Sequence, residues 1–196
     1  MADLKIGIII GSTRPGRVGD QVGAWVKENA AAEGVEFELV DLHDYALPNL
    51  DEALPAGYGQ YSNEHTKKWA AKVGEFDGYL IITPEYNHTM PGSLKNAFDF
   101  VGAEWNNKAA GVISYGSMGG VRAGEHVRQV LAELQIADVQ KHVMFSIFTD
   151  FENFSTFKPA NELKVPELQA QIAQVVAWAE ALKSVREAQA AEAAAA

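Results

Sequence analysis

The sequence predicts a doubly wound α/β domain, in which a five-stranded parallel sheet carries helices on both faces. Three observations lead there. The apolar runs are short and nearly continuous, as in strands buried on both sides. They alternate with segments whose apolar residues recur at helical spacing. The chain has 196 residues, the size of one ordinary domain. Leu4 to Ile10 is the first run, ending at Gly11, and its lack of alternation makes it a central strand. Val18, Val22, Trp25 and Val26 mark the first helix, and Val35 to Val40 resumes a strand. After a long connection Trp69, Val73 and Phe76 mark a second helix. Gly78 to Thr83 is a strand, Pro91 to Val101 a helix, Ala109 to Tyr115 a strand, Val121 to Leu134 a helix and Val139 to Phe148 the fifth strand. Pro166 sits in the first turn of a final helix, where its missing N–H is no loss. Residues 1–185 are expected to form the single domain, with the alanine-rich end, 186–196, fraying from the last helix.

Composition narrows the function classes. With 47% hydrophobic, 21% charged and 10% aromatic residues, the chain has the apolar content to bury a core, which excludes disordered and collagen-like structure. Subtracting 26 acids from 16 bases leaves a net charge of −10, which repels nucleic acid and anionic lipid at long range, so neither is expected as a partner. Cysteine is absent, which removes disulfides, thiolate catalysis and iron–sulfur clusters together. The first apolar run is too short to span a bilayer and lacks the features of a signal peptide, so a cytoplasmic location is expected. The five histidines show no spacing for zinc, and no metal is expected.

In this fold class ligands bind beyond the carboxyl ends of the strands, where the strand order reverses, so the loops after strands one, three and four are the ones to read. The first, GSTRPGRVGDQ, leaves a buried strand and opens a helix, pointing N–H groups and a positive dipole end at its ligand. Ser12 and Thr13 add hydroxyls, and Arg14 and Arg17 add guanidinium forks. No acid occurs from Ile6 through Gly19 in an otherwise acidic chain. The loop therefore reads as a phosphate site. It is not a Walker A loop, which would end in Gly-Lys-Ser/Thr. Gly11, Gly16 and Gly19 do not match G-x-G-x-x-G either, and Asp41 reads as a strand-end turn residue rather than a ribose ligand.

The loop after strand three, TPEYNHTMPGSLKNAFDF, together with GSTRPGR resembles the NADPH-dependent FMN reductase family, flavodoxin-like proteins that include azoreductases, quinone reductases and chromate reductases. The resemblance implies that Ser12 and Arg14 bind the FMN phosphate and that Pro84, Glu85, Tyr86 and Asn87 run along the isoalloxazine ring. Thr13, Arg17, Val18, Gly19 and Asp20 join the first set as candidate cofactor contacts. The chemistry agrees: a flavin needs an apolar wall and backbone polar groups around its heteroatoms. Tyr86 offers the wall, and the N–H groups of Glu85 through Asn87 are available to the ring edge. Lys95 and Asn96 on the following helix have a supporting place.

The loop after strand four, SYGSMGGVRAG, is similar to the family's third flavin loop, and Tyr115, Gly116 and Ser117 are its candidate contacts. A hydrolase is disfavoured because YGSMG lacks the first glycine of G-x-S-x-G. The resemblance implies an FMN-dependent oxidoreductase that takes hydride from NADPH or NADH and serves quinones, azo compounds or free flavin by a ping-pong mechanism. The competing function is a flavodoxin-like electron carrier, against which the phosphate-loop arginines argue. Tyr45, Tyr58, Trp105, Phe148, Phe151, Phe154 and Phe157 are many aromatics for loops to bury alone, and they suggest a lid or a subunit interface in a homodimer or homotetramer.

Overall fold

The computed structural model describes residues 4–195; residues 1–3 and the last alanine of the alanine-rich end, residue 196, lie outside the described residues. Four strands, β1 (Leu4–Ile10), β2 (Val35–Asp41), β3 (Gly78–Pro84) and β4 (Lys108–Gly116), follow the apolar runs to within one residue at either end. They pair in parallel in the order β2-β1-β3-β4, with Ile6 opposite Phe37 on one side and Gly78 on the other. The order reverses between β1 and β3, which places the crevice of the fold at the ends carrying Gly11 and Pro84.

Helices α1 (Gly19–Asn29), α2 (Glu64–Gly74), α3 (Gly92–Asp99), α4 (Val121–Glu133) and α5 (Lys164–Ala195) cover the sheet. Val22 and Val26 of α1 and Leu168, Ile172 and Val175 of α5 pack on one face. Trp69 and Val73 of α2, Leu94 and Phe98 of α3, and Val127 and Leu131 of α4 pack on the other. Each fully buried aliphatic or aromatic side chain contributes about 1.5–3 kcal/mol, so the two-sided burial of β1, β3 and β4 fixes the sheet as the rigid platform for the loops at its end.

The fifth strand differs from expectation. A short strand, β5 (Ile136–Asp138), lies ahead of the expected span, and within Val139–Phe148 only β6 (Val143–Ser146) is strand; each pairs with β4. Between them the ladder is replaced by side chains. Gln171 Nε2 donates to Val112 O and to Lys141 O, both at 2.7 Å, and Lys141 N–H donates to Gln174 Oε1 at 2.9 Å. Two glutamines of α5 thus satisfy backbone groups that a continuous strand would pair.

Two further departures concern the chain end and the aromatics. The segment from Arg186 onward continues α5 as helix to Ala195, as alanine's high helix propensity allows, where fraying was expected. Arg186 pairs with Asp77 and donates to Asn107 O, and Asn107 in turn donates to Gln189. Trp105 is wholly buried among Trp69, Tyr79 and Phe98, so it belongs to the core and to no interface or lid. Tyr45 packs edge-on to Trp69, and Phe151 and Phe157 join Phe145 and Trp25, pinning their loops to the sheet. Tyr58, Phe148 and Phe154 stay exposed. The last belongs to a short antiparallel hairpin, β7 (Phe151–Glu152) and β8 (Thr156–Phe157), that the sequence did not announce. No helix among the described residues is long and apolar enough to cross a membrane.

Candidate functional site

The loops after β1, β3 and β4 meet around one cleft of about 300 Å³, lined among others by Arg14, Val18, Pro84, Glu85, Tyr86, Tyr115, Gly116 and Ser117. All eight were candidates from sequence. Gly16, Ile147, Phe154 and Ser155 complete the lining and were not. The last three come from the segment after β6, whose phenylalanines were expected near the site as a lid or a subunit interface; of them Phe154 lines the cleft.

Below the cleft the loops are stitched together. Ser12 is fully buried, and its hydroxyl lies 2.9 Å from the Tyr86 hydroxyl, to which Arg14 Nε also donates at 3.3 Å. The remaining Arg14 nitrogens reach only carbonyls of their own loop, Pro15 O and Gly16 O at 3.2 Å, and the side chain is exposed toward the cleft. Helix α1 begins at Gly19 with no side-chain cap, so its first N–H groups are free to meet an anion. Gly19 is buried, and a Cβ there would stand 2.8 Å from the Tyr115 hydroxyl, so any side chain would displace that ring. Burial pushes the Tyr115 hydroxyl well above the ordinary phenol range, so it remains a neutral donor.

The PEYNHT segment is a tight turn. Tyr86 and Thr89 exchange N–H···O bonds of 2.9 and 3.1 Å, and Asn87 and His88 both have positive φ, 50° and 70°, the pattern of a type I′ turn. This corrects one expectation. The Tyr86 N–H is taken by Thr89 O and the Glu85 N–H by Tyr115 O at 3.0 Å, so of the three N–H groups assigned to the flavin edge only that of Asn87 lacks a partner among the described residues. The Glu85 carboxylate faces α4, accepting from Arg122 Nε at 2.6 Å and from the Arg122 N–H at 3.1 Å. Burial alone would raise its pKa, but the Arg122 bonds hold it below the usual carboxylate range. Arg122 also donates to His88 Nε2 at 2.9 Å. The Glu85–Arg122 pair therefore braces the second loop against the third, a partnership that sequence spacing could not reveal.

The third loop turns at Gly119 and Gly120, both left-handed, and a Cβ on Gly120 would stand 2.8 Å from the Tyr115 backbone. Behind it the Ser114 hydroxyl donates to Gly119 O at 2.6 Å, so the proton between Ser114 Oγ and His142 Nε2, 2.8 Å apart, belongs to the histidine. His142 thus bonds to Ser114, away from Ser117. Burial, with Arg128 nearby, lowers its pKa to about 4.

Not every candidate lines this cleft: Ser12 and Gly19 are buried and outside the lining, and Asn87 is exposed on the turn next to Tyr86. Thr13 lines a neighbouring hollow with Leu42, His43 and Ser93. Arg17 forks onto Asp41 and donates to Ser12 O at 2.6 Å, so it fixes the loop's shape; Asp41 also accepts from the His43 N–H, as a strand-end turn residue should. Asp20 is exposed in the first turn of α1 and does not line the cleft. Asn96 holds Pro48 O and the Leu50 N–H, in the supporting place expected.

A sequence model described as NADPH-dependent FMN reductase matches residues 4–150. The chain belongs to that family. It is 32% identical over 189 residues to an NAD(P)H-dependent FMN reductase of Nectria sp, covering 91% of this chain and 89% of the relative. It is 32% identical over 149 residues to a 2-hydroxy-1,4-benzoquinone reductase of a Burkholderia species, covering 72% and 78%. Among solved structures, the flavoenzyme NAD(P)H:(acceptor) oxidoreductase of Paracoccus denitrificans superposes with a TM-score of 0.69 over 90% of this chain and 97% of that one, at 24% identity, a likeness of fold. Flavodoxin 1 of Bacillus cereus shares the fold as well, with a TM-score of 0.52 at 16% identity over 88% of this chain and 97% of that one. Family membership makes this chain an oxidoreductase that works with FMN and NAD(P)H. The residues present fit that group: an exposed guanidinium and an uncapped helix start suit a phosphate, and a rigid turn with Asn87 N–H free suits a ring edge.

Proposed function

We propose that the chain transfers two electrons from NADPH or NADH to flat small-molecule acceptors, quinones above all and azo compounds or free flavin by the same chemistry, with donor and acceptor occupying one cleft in turn. The observation that supports this most is the convergence of all three strand-end loops on a single cleft walled by Tyr86 and the turn around Gly116. FMN, when bound, supplies the reversible two-electron chemistry. The chain's residues bind and orient. Arg14 and the first N–H groups of α1 take the phosphate, Ser12 holds Tyr86 upright, Asn87 donates to the ring edge, and Glu85 with Arg122 keeps the two ring-side loops at a fixed separation. The reaction in balance is NAD(P)H, a proton and a quinone giving NAD(P)⁺ and a hydroquinone, and it needs no side-chain base. Geometry does the catalytic work by holding reactants in stacking order.

Initial rates with NADPH varied at several fixed concentrations of menadione test the reading. Parallel double-reciprocal lines are expected, each substrate competing with the other at high concentration; intersecting lines would mean a ternary complex and refute the shared cleft. We also propose a homodimer or a dimer of dimers, supported by the exposure of Tyr58 and Phe148.

A further inference from the structure

The β7–β8 hairpin lies beyond residues 4–150, the span that the family model matches, yet it supplies part of the cleft's wall. Its base is immobilised. Asp150, only 4% exposed, accepts from the Ser146 N–H at 2.8 Å, the Thr149 hydroxyl at 3.1 Å and the Ala160 N–H at 3.1 Å. Gln21 of α1 clamps the second strand, donating to Ser155 O and accepting from the Phe157 N–H, both at 2.8 Å. Phe151 packs against the ring of Tyr115, a residue of the same cleft, at 6.0 Å.

The tip is built differently. Asn153 and Phe154 both have positive φ, 51° and 58°, closed by a 3.1 Å bond from the Ser155 N–H to Glu152 O. Left-handed backbone is uncommon for a bulky residue and persists where surrounding structure over-determines it. That conformation does not bury the ring: Phe154 is 64% exposed, edge-on to an equally exposed Phe148 at 5.9 Å. An aromatic side chain held in an unfavourable backbone conformation, on a clamped base, and left in solvent at the rim of a cleft has a place to fill outside the protein core. The hairpin's share of the lining also differs in chemistry: Ile147 and Phe154 are apolar and Ser155 O is already bonded to Gln21, whereas the loops after β1 and β3 contribute Arg14 and Tyr86.

We infer that Phe154 is a specificity-determining residue, the fixed wall against which the ring of a flat aromatic acceptor packs. The inference rests on the reading that this cleft holds FMN and admits the acceptor. It distinguishes acceptors that have a ring face from those that have none, because stacking and apolar contact reward only the former.

The test compares the FMN-loaded parent with Phe154→Ala and Phe154→Tyr, using NADPH as donor and either menadione, a fused-ring quinone, or ferricyanide, a compact anion. Phe154→Ala is expected to raise the KM for menadione about tenfold, and so lower the menadione-to-ferricyanide ratio of kcat/KM by about that factor, while Phe154→Tyr keeps the parent ratio. Flavin content by absorbance should remain stoichiometric in both variants. An unchanged ratio in Phe154→Ala, with the parent binding FMN and reducing menadione, overturns this inference alone. Loss of flavin from Phe154→Ala also overturns it, because the ring would then be holding the cofactor. A parent that binds no FMN overturns the functional reading and this inference with it.

Discussion

Arg14 and Arg17 stand three residues apart in the same loop, and their surroundings give them different work. Arg17 is spent on Asp41 and Ser12 O, whereas Arg14 touches only loop carbonyls and the Tyr86 hydroxyl and faces the cleft. Charge-assisted hydrogen bonds contribute roughly 1.5–3 kcal/mol each, so Arg14→Ala should weaken FMN binding by about tenfold to a hundredfold and leave riboflavin, which has no phosphate, nearly unaffected. Calorimetric titration with the two ligands checks it, and equal losses for both would remove the phosphate from this loop. His142 carries a second residue-scale prediction. Its folded pKa of about 4 lies below the 6.5 of an unperturbed histidine, so between those values the unfolded chain binds a proton that the folded chain refuses. Its contribution is present above pH 6.5 and is lost as the pH falls toward 4. After allowance for partial exposure the effect is about 2 kcal/mol. Urea unfolding of the parent and His142→Asn at pH 7 and pH 4.5 should show the variant losing less stability on acidification by about that amount.

At the scale of elements, the decisive feature is how β4 is flanked. On one side β3 pairs with it along seven consecutive positions from Gly78 to Pro84. On the other, β5 and β6 leave a gap that Gln171 bridges from α5, its side chain seated over Gly111, where a Cβ would stand 2.7 Å away. Gln171→Leu keeps the volume but removes both donors, stranding Val112 O and Lys141 O. A loss of about 2 kcal/mol is expected, read as a lower urea midpoint with an unchanged slope. A midpoint equal to the parent's would mean that water satisfies both carbonyls. Continuous apolar runs in the sequence made β1, β3 and β4 legible. Val139 to Phe148 reads as one strand, but only Val143–Ser146 of it is; the break between β5 and β6 is bridged by glutamines about 30 residues downstream of Lys141, which no local pattern connects to it.

For the whole molecule, the charge of −10 sets copies of the chain repelling at long range, while Tyr58 and Phe148 stay exposed on separate loops as apolar ground for a short-range contact. Light scattering at micromolar concentration should return twice or four times the 21.3 kDa chain mass. A monomer with full activity would discard the assembly and leave Tyr58 a loop residue without a partner surface.

The sequence by itself determined the alternation of strands and helices and marked the three loops that meet at one cleft, because each depends on residues close together in the chain: buried runs, a glycine at a strand end, arginines in an acid-free stretch. Family membership was legible for the same reason, in two contiguous motifs. What only the tertiary structure decided is which member of each motif faces the cleft. Arg17 turned to Asp41, Glu85 to Arg122 and the Tyr86 N–H to Thr89, each satisfying a polar group that burial would otherwise leave unpaired. The hairpin carrying Phe154 reached the cleft through Gln21, 133 positions before it in the chain, as the Gln21–Ser155 bond spans 134. Hydrogen bonds and ring contacts between distant segments are set by how the layers pack, and packing is a property of the folded chain rather than of any window of its sequence.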